Sequence, residues 1–580
     1  MILSLRRVCA ILVVLLTLTP VLGSAAETVQ ERPVAWLALR SYQRLEQRLR
    51  EISTMAKAPG LADMLLGLVQ LQLAGLGGLD RQRPIGLVVP TVSLADKPPL
   101  AVVLPYTDRD TILHTLQGFF PQSIVEDNER LSLQGGPIPA FGRLDAQASV
   151  LIVSTSPEVA QGFDVSLPAD LFGAQENGPD LVLRVDVEAV KQQLDVAWKA
   201  MLAGLEQAWQ AALQKAAEDQ AMSPADKAAM TAYVTMTQRG LRQFLDDFSL
   251  GESRLTLAST GWVFDLETKM RPGSVSAAFL NAQAGHTSRA AQLFAPSANT
   301  FLRLVYNVRM TDSLRQETMA LFPALRQMLE ARLAALPDLT PEQRTAGTQA
   351  IATYLSLLEQ WYSQKELEAA AEMRVQDKSF ALTSWLPFVD SRRALSAILD
   401  VVEKIPLLMG DAVIKVTRDI GQYQGTALHR IELPKNKAPE FPTTAFVAAQ
   451  GNWLAFHLGT SPEPLQTLLD RARNLSSQAP TQTDAVVHTE LFLAPMLQLG
   501  MSKGQMGSQN PMSQALIEKL QQGPNEPFRI DLLTRQDAAT LRSTFPGALV
   551  QSVAELMGQQ IMQQLRGGGE KQGSGGKSKQ

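Results

Sequence analysis

A short stretch that occurs twice constrains the fold of this chain more than any other feature. Leu104-Pro105-Tyr106-Thr107-Asp108 ends one apolar run, and Leu386-Pro387-Phe388-Val389-Asp390 ends another 282 residues later. Downstream, Thr155-Ser156-Pro157-Glu158 recurs identically as Thr460-Ser461-Pro462-Glu463, at an offset of 305 residues. Two landmarks in the same order and at nearly the same offset are the signature of an internal repeat. The chain is therefore predicted to contain two homologous halves.

The pattern of apolar residues predicts the elements of each half. Short apolar runs such as Val34–Leu39 fit buried strands, and stretches with an apolar residue at every third or fourth position fit helices. The order strand, two helices, two strands, helix then occurs once in a longer and once in a shorter form in each half. Neighbouring strands of this kind favour antiparallel sheets covered by helical hairpins. The predicted fold class is α+β.

Length and composition predict the domain boundaries. A chain of 580 residues is too long for a single core. The two halves are predicted at residues 30–285 and 298–566, and the small, polar stretch 286–297 is predicted to be the linker between them. The glycine-rich residues 567–580 are predicted to be a disordered tail.

The N-terminus has the three parts of a secretory signal. Arg6-Arg7 supplies the positive start, Val8–Leu16 the apolar run, and Ser24-Ala25-Ala26 a small-residue cleavage site. Residues 1–26 are therefore predicted to be a signal peptide, and the mature protein is expected to be periplasmic or secreted. Since no later stretch approaches about 18 uninterrupted apolar residues, no transmembrane segment is expected after signal cleavage.

Cysteine content and charge narrow the chemistry and the partners. Cys9, the only cysteine, lies in the predicted signal, so the mature chain is expected to lack a thiol, a disulfide and a cysteine-ligated metal. Without Arg6 and Arg7 the chain carries 51 basic and 57 acidic residues, with no block of arginine or lysine. Nucleic acid and anionic lipid are therefore not expected as partners.

One group of residues resembles a known family. The residues concerned are Gly78-Leu79-Asp80, Arg83-Pro84, Gly86, Leu104-Pro105 and Thr107-Asp108. This pattern resembles a group of uncharacterised exported bacterial proteins, many of them from planctomycetes. It covers only about residues 80–120, with a partial echo at 386–390. The resemblance implies export from a bacterium and a duplicated fold, and it implies no activity and no functional residue.

The repeated landmarks have a structural interpretation. In Thr-Ser-Pro-Glu a hydroxyl can cap a helix, proline fits the first turn, and Glu158 or Glu463 is predicted to complete a capping box. Asp108 and Asp390 likewise stand where helix caps belong. A general acid would need a second carboxylate nearby, and the sequence shows none.

Three histidines of the second half form the one candidate metal site. His429, His457 and His488 fall in predicted strands, and Glu490 lies two residues from His488 on the same strand face. Three imidazoles and a carboxylate would bind Zn²⁺ if the strands brought them together. The competing interpretation is that these are solvent-facing or hydrogen-bonded histidines of a sheet. No catalytic residue and no cofactor is predicted.

Three hypotheses of function follow. The first is a non-catalytic exported protein that acts as an interaction or structural module for an unknown protein partner, since the sequence carries no reactive cysteine and no credible site motif. The second is an exported carrier of an apolar small ligand in a cleft between sheet and helices, for which the stripe with Trp198 and Trp209 is a candidate lining. The third is a metal-dependent hydrolase in the second half.

Overall fold

The structure of this chain is a computed structural model. It describes residues 33–559 except 59, 61, 65, 68–76, 92–98, 126–128, 137–139, 163–166, 174–177, 220–222, 289, 295–296, 298, 337–338, 377–378, 410–413, 435–441, 476–480, 484, 503–510, 523–525 and 557. The predicted signal peptide and the predicted tail lie outside the described residues. Helices and antiparallel strands are mixed along the described chain, which confirms the predicted α+β class.

The described residues divide into two compact units. Unit 1 holds the described residues up to Leu205 together with Phe248–Thr268 and residues 558–559, and unit 2 holds Glu206–Asp247 and Lys269–Leu556.

The described strands of unit 1 form one sheet around the first strand. Their bounds are β1 (Ala35–Leu39), β2 (Ile85–Val89), β3 (Ala101–Pro105), β4 (Ile124–Val125), β5 (Arg130–Leu133), β6 (Ala140–Asp145), β7 (Val150–Ser154), β8 (Leu181–Asp186), β9 (Phe248–Ala258) and β10 (Gly261–Met270). Across the sheet the order is β10-β9-β8-β1-β2-β3-β7-β6-β5-β4. Leu37 of β1 therefore stands between Leu87 of β2 and Leu183 of β8.

The helices of unit 1 connect these strands. Their bounds are α1 (Tyr42–Met55), α2 (Arg109–Phe119), α3 (Pro157–Gly162), α4 (Val187–Gln193) and α5 (Asp195–Asp219), of which α5 continues into unit 2. The side chain of Ser41 accepts a hydrogen bond from the Arg44 amide and so begins α1. On one face of the sheet, Trp36, Val88 and Val103 pack against Val159 of α3 in a buried cluster.

The strands of unit 2 form a second large sheet and a small one. Their bounds are β11 (His286–Ser288), β12 (Thr300–Arg309), β13 (Glu366–Gln376), β14 (Ser379–Pro387), β15 (Lys415–Tyr423), β16 (Thr426–Glu432), β17 (Thr444–Gln450), β18 (Trp453–Leu458), β19 (Thr481–Thr483), β20 (Ala485–Leu491), β21 (Phe528–Arg535) and β22 (Ala538–Pro546). The large sheet has the order β22-β21-β20-β12-β13-β14-β18-β17-β16-β15. β11 pairs with β19 in the small one.

Helices cover both faces of the large sheet of unit 2. Their bounds are α6 (Pro224–Asp247), α7 (Val275–Gln283), α8 (Asp312–Met319), α9 (Phe322–Ala335), α10 (Pro341–Tyr362), α11 (Ser391–Met409), α12 (Glu463–Leu475), α13 (Leu493–Ser502) and α14 (Pro511–Gln522). Leu468 of α12 packs with Trp385 and Phe446 on one face. Leu395 of α11 packs with Ile431 on the other. The core therefore lies in two layers, one on each side of the sheet.

The segment predicted to be a linker, residues 286–297, is packed into unit 2. Ser288 donates a hydrogen bond of 2.7 Å from its hydroxyl to Glu368, and Leu293 and Phe294 are buried in the cluster that contains Trp385. The small and polar composition of the segment indicated a linker. The burial of Leu293 and Phe294 and the pairing of β11 with β19 nevertheless hold its described residues against unit 2. Residues that share one compact core in this way do not behave as a flexible connection.

The repeated landmarks begin helices, as predicted. The carboxylates of Asp108 and Asp390 each accept a hydrogen bond of 3.0 Å, from the Thr111 and Arg393 amides respectively, and so cap α2 and α11. The predicted capping box is wrong for Glu158, because this residue is the second of α3 and its carboxylate accepts a hydrogen bond of 2.6 Å from the Ser156 hydroxyl instead. The helix is capped by Ser156, whose hydroxyl oxygen accepts from the Val159 amide.

The corner before α2 also explains why glycine stands at position 78. Gly78 has a φ of 75°, and a Cβ there would lie 2.5 Å from the Ile112 amide nitrogen. Its carbonyl accepts a hydrogen bond of 2.9 Å from the Thr107 amide. Gly78 and Thr107, two residues of the family resemblance, therefore meet at a tight corner that joins the loop before β2 to the start of α2.

We expect Gly78→Ala to lower the free energy of unfolding by about 2 kcal/mol, because it adds a steric clash to an unfavourable φ. The measurement is chemical denaturation monitored by circular dichroism. Gly173 is the matched control, since it has a φ of 63° but no atom within 4 Å of the place that a Cβ would occupy. Gly173→Ala should cost only about 1 kcal/mol, and equal losses in the two variants would show that the close approach to Ile112 does not matter.

Candidate functional site

A row of polar side chains crosses the large sheet of unit 2. Directly paired residues on neighbouring strands point to the same face. In register across β21, β20, β12, β13, β14 and β18, the members of this polar row are Arg529, Glu490, Arg303, Glu372, Thr383 and His457. The row contains two of the four residues predicted to bind a metal.

Glu490 is the centre of the charged end of the polar row. It is 5% exposed and accepts hydrogen bonds of 2.5 Å from Arg303 and 3.2 Å from Arg529. Burial by itself raises the pKa of Glu490, but the hydrogen bond from His488 and the positive charges of the two arginines outweigh it and hold the pKa below its usual value. A buried carboxylate requires such partners, so these contacts fix the three strands together.

His488 lies between two carboxylates. Its Nδ1 is 2.5 Å from Asp531 on β21, and its Nε2 is 3.5 Å from Glu490. The hydrogen bonds to Asp531 and Glu490 raise the pKa of His488 to about 9. The ring is therefore an imidazolium at neutral pH, with a proton on each nitrogen. In this state it cannot coordinate a metal ion.

His457 is buried and neutral. It is 1% exposed, and its Nδ1 lies 2.9 Å from the Thr383 hydroxyl. Burial, together with the positive charge of Arg374, lowers the pKa of His457 to about 4. The imidazole thus belongs to the core beneath α12, since it shares a face with Phe446 and Trp385.

The structure brings together only two of the predicted metal ligands. His488 and Glu490 are neighbours on β20, whereas three strands separate β20 from His457 on β18. His429 pairs with Val447, and His457 with Phe446, so the two rings lie on opposite faces. His429 instead accepts a hydrogen bond of 3.2 Å from the Asp419 amide. Within the described residues, no three histidine, cysteine or acidic side chains are arranged to hold a metal ion.

Unit 1 has a charged pair on its sheet that the sequence analysis did not single out. Arg184 of β8 donates a hydrogen bond of 2.6 Å to Glu252 of β9 and others to Asp170. The side chain of Glu252 is 1% exposed. The sequence did contain a signal for this ion pair, namely a single arginine within the apolar run Leu181–Val185. A charged residue inside a buried strand requires a partner of opposite charge.

The other side of the sheet in unit 1 carries a continuous apolar surface. This apolar face consists of Leu37 and Leu39 on β1, Ile85, Leu87 and Val89 on β2, and Leu181, Leu183 and Val185 on β8. Leu37 is 38% and Leu181 37% exposed, and the other members are half-buried. The two-residue turn between β9 and β10 sets Phe264, also 38% exposed, opposite Leu255 beside this face. Ile85 of this face packs with Tyr42 and Leu49 of α1, so the accessible part of the face is at Leu37 and Leu181.

A groove of about 530 Å³ runs along α1. It is lined by Gln43, Glu46, Gln47, Arg50, Glu51, Thr54 and Met55 of α1 and by Ser259 at the end of β9.

Hydrogen bonds join α1 to the start of β8. Arg44 of α1 donates to the Asp180 carboxylate and, at 2.9 Å, to the Gly178 carbonyl. Asp180 precedes Leu181 in the chain and its amide bonds to the Leu255 carbonyl at 2.8 Å. These contacts tie α1 to the segment that leads into β8.

Trp198 of α5, which was a candidate lining for an apolar ligand, does not lie on an accessible surface. That residue is buried, and the Lys191 ammonium lies 5.5 Å from its ring centroid, so it serves as core.

Comparisons of the chain with protein-family models, with curated proteins and with solved structures return no match. The likeness to exported planctomycete proteins therefore remains a prediction from the sequence. Among the described helices, none combines the length and the apolar character that a membrane span requires.

Proposed function

We propose that this protein is a non-catalytic exported module that acts by binding a partner and is built from two homologous halves. The observation that carries the proposal is the polar row of unit 2. Glu490 bonds to Arg303 and Arg529, and Glu372 to Arg374 and Thr300, so these side chains stabilise the sheet instead of facing a substrate cleft. Leu37 and Leu181 of the apolar face in unit 1 are accessible, which suits binding, and they offer no reactive group.

The strand orders support the proposed duplication. In each unit the central strand, β1 or β12, pairs on one side with the strand that follows it in the chain, β2 or β13, and on the other side with a later strand, β8 or β20. The remaining strands follow in the same sequence from that centre to both edges.

A second correspondence concerns the buried charges. The row through Ala101, four residues before Pro105, contains Arg184 paired with Glu252. The row through Thr383, four residues before Pro387, contains Glu490 paired with Arg529. Both rows thus hold an ion pair at the two corresponding strands, with the acidic and the basic residue exchanged. Such an exchange is expected of two copies of one ancestor that both retained the ion pair.

A specific observation favours the carrier of an apolar small ligand as the second candidate. The apolar face is accessible at Leu37 and Leu181, and a groove runs along α1 of the same unit. The metal-dependent hydrolase has less support, because His488 is an imidazolium and His429 and His457 point to opposite faces.

A photoreactive amino acid in place of Leu37 tests the proposed function in cells that export the protein. The matched control carries it in place of Val196, an 81% exposed apolar residue of α5. We expect a discrete adduct at position 37 that is missing at 196. A protein-sized mass shift would support the interaction module, and a shift of small-molecule size would support the carrier. Indistinguishable patterns at the two positions would contradict both.

A further inference from the structure

We propose that residues 560–566 dock in the groove along α1, so that the chain occupies this groove with its own C-terminal segment. The segment lies outside the described residues. The last described residues before it, 558 and 559, belong to unit 1, as α1 does. The inference does not depend on the apolar face, and it would stand if no adduct formed at position 37.

A close contact places the start of this segment at one end of the groove. Gly558 is buried and helical. A Cβ at position 558 would lie 3.0 Å from the carbonyl oxygen of Ala56 and 3.2 Å from the Ala56 Cβ. Ala56 directly follows Met55, which lines the groove. The chain therefore reaches residue 560 beside the groove, and the segment requires no linker to enter it.

The sequence of the segment continues the face that Gly558 presents to α1. The apolar residues that follow Gly558 are Ile561, Met562 and Leu565, so the four stand at positions i, i+3, i+4 and i+7. This spacing is that of one face of a helix. The residues between them, at positions 559, 560, 563 and 564, are all glutamine. A helix that continued past residue 559 would therefore present three large apolar side chains to α1, and docking in the groove would remove them from water.

The groove offers apolar surface to these side chains. Arg50 donates a hydrogen bond of 2.8 Å to Glu46, and both residues line the groove. Gln47 donates one of 2.9 Å to Glu51, and these two line it as well. Because the polar ends are bonded to one another, the lining consists largely of hydrocarbon stems together with Met55. Such a groove fits an amphipathic helix with apolar residues at the spacing of the segment.

The experiment uses the full mature chain with a photoreactive amino acid in place of Gln47. Irradiation, proteolysis and mass spectrometry should identify cross-links to residues 560–566 of the same molecule. The same amino acid in place of Val196 is the control and should give none. Leu565→Lys should lower the cross-linking yield at least fivefold, because a charge replaces an apolar side chain, whereas Gln564→Lys should leave it unchanged. Melting temperatures within about 2 °C of wild type would verify the fold of each variant.

Three results would overturn the inference. The first is no cross-link between position 47 and residues 560–566, and the second is an equal loss of yield in Leu565→Lys and Gln564→Lys. The third is cross-linking between two copies of the chain, which denaturing electrophoresis shows as a product of twice the mass. This last result would assign the groove to a second copy instead, and its yield would fall on tenfold dilution before irradiation, whereas the yield of the expected product would not.

Discussion

Replacing Glu490 by glutamine is expected to lower the free energy of unfolding of unit 2 by about 3–5 kcal/mol. The substitution keeps the size of the side chain but removes the charge that Arg303, 12% exposed, contacts through a 2.5 Å ion pair. It also leaves His488 with one carboxylate in place of two. A buried arginine without its counter-charge destabilises the fold by more than the intact ion pair stabilises it. We therefore expect a large loss of stability.

Urea denaturation measures this effect, and the same substitution at Glu403 is the control. Glu403 also pairs with an arginine, Arg418, but both side chains are more than a third exposed. Glu403→Gln should therefore change stability by less than about 1 kcal/mol. Similar losses at the two positions would show that the burial of Glu490 does not determine its contribution.

The stability of unit 2 is expected to pass through a maximum near pH 6.5 and to fall on both sides. Hydrogen bonds to Asp531 and Glu490 raise the pKa of His488 to about 9. Glu490 also forms an ion pair with Arg303. The stabilisation by protonated His488 is therefore complete below about pH 6.5, which is the pKa of histidine in the unfolded chain. It is lost as the pH rises to 9, which lowers the free energy of unfolding by about 3 kcal/mol.

The acid side depends on His457. Its pKa is lowered to about 4 by burial and Arg374, against the opposing charge of Glu463 on α12. As the pH falls, His457 is protonated at a higher pH in the unfolded chain than in the folded protein. The free energy of unfolding is therefore highest above about pH 6.5 and falls by about 3 kcal/mol as the pH drops to 4. Denaturation across pH 4–9 should show that His488→Gln flattens the alkaline side only and His457→Gln the acid side only. Unchanged profiles in both variants would mean that neither histidine titrates as the structure indicates.

The features that could be predicted from the sequence are local ones. Asp108 and Asp390 cap helices that begin at the next residue, so a few neighbouring residues were enough to predict them. The alternation of apolar residues likewise predicted most strands and the mixed class of the fold. Such signals depend on the period of the element and require no knowledge of its neighbours.

The partners across the sheet could not be predicted in the same way. His488 was singled out, but its carboxylate Asp531 lies 43 residues later on the adjacent strand. Nothing in either strand indicates which strand it pairs with, since an apolar run fits several positions in a sheet. The apolar face was missed for the same reason. Leu37 lies in a run that was predicted to be a buried strand, and only the register of β1 and β8 shows that it shares an accessible surface with Leu181.

The central place of β1 in unit 1 has a consequence for biogenesis. A nascent chain produces β1 early, yet one edge of that strand gains its partner only when β8 has been synthesised, because Leu37 pairs with Leu183. Until then an apolar strand presents unpaired backbone groups, which is the condition for aggregation. We therefore expect fragments that stop before residue 181 to be insoluble, and the intact chain to depend on a holding chaperone until β8 arrives.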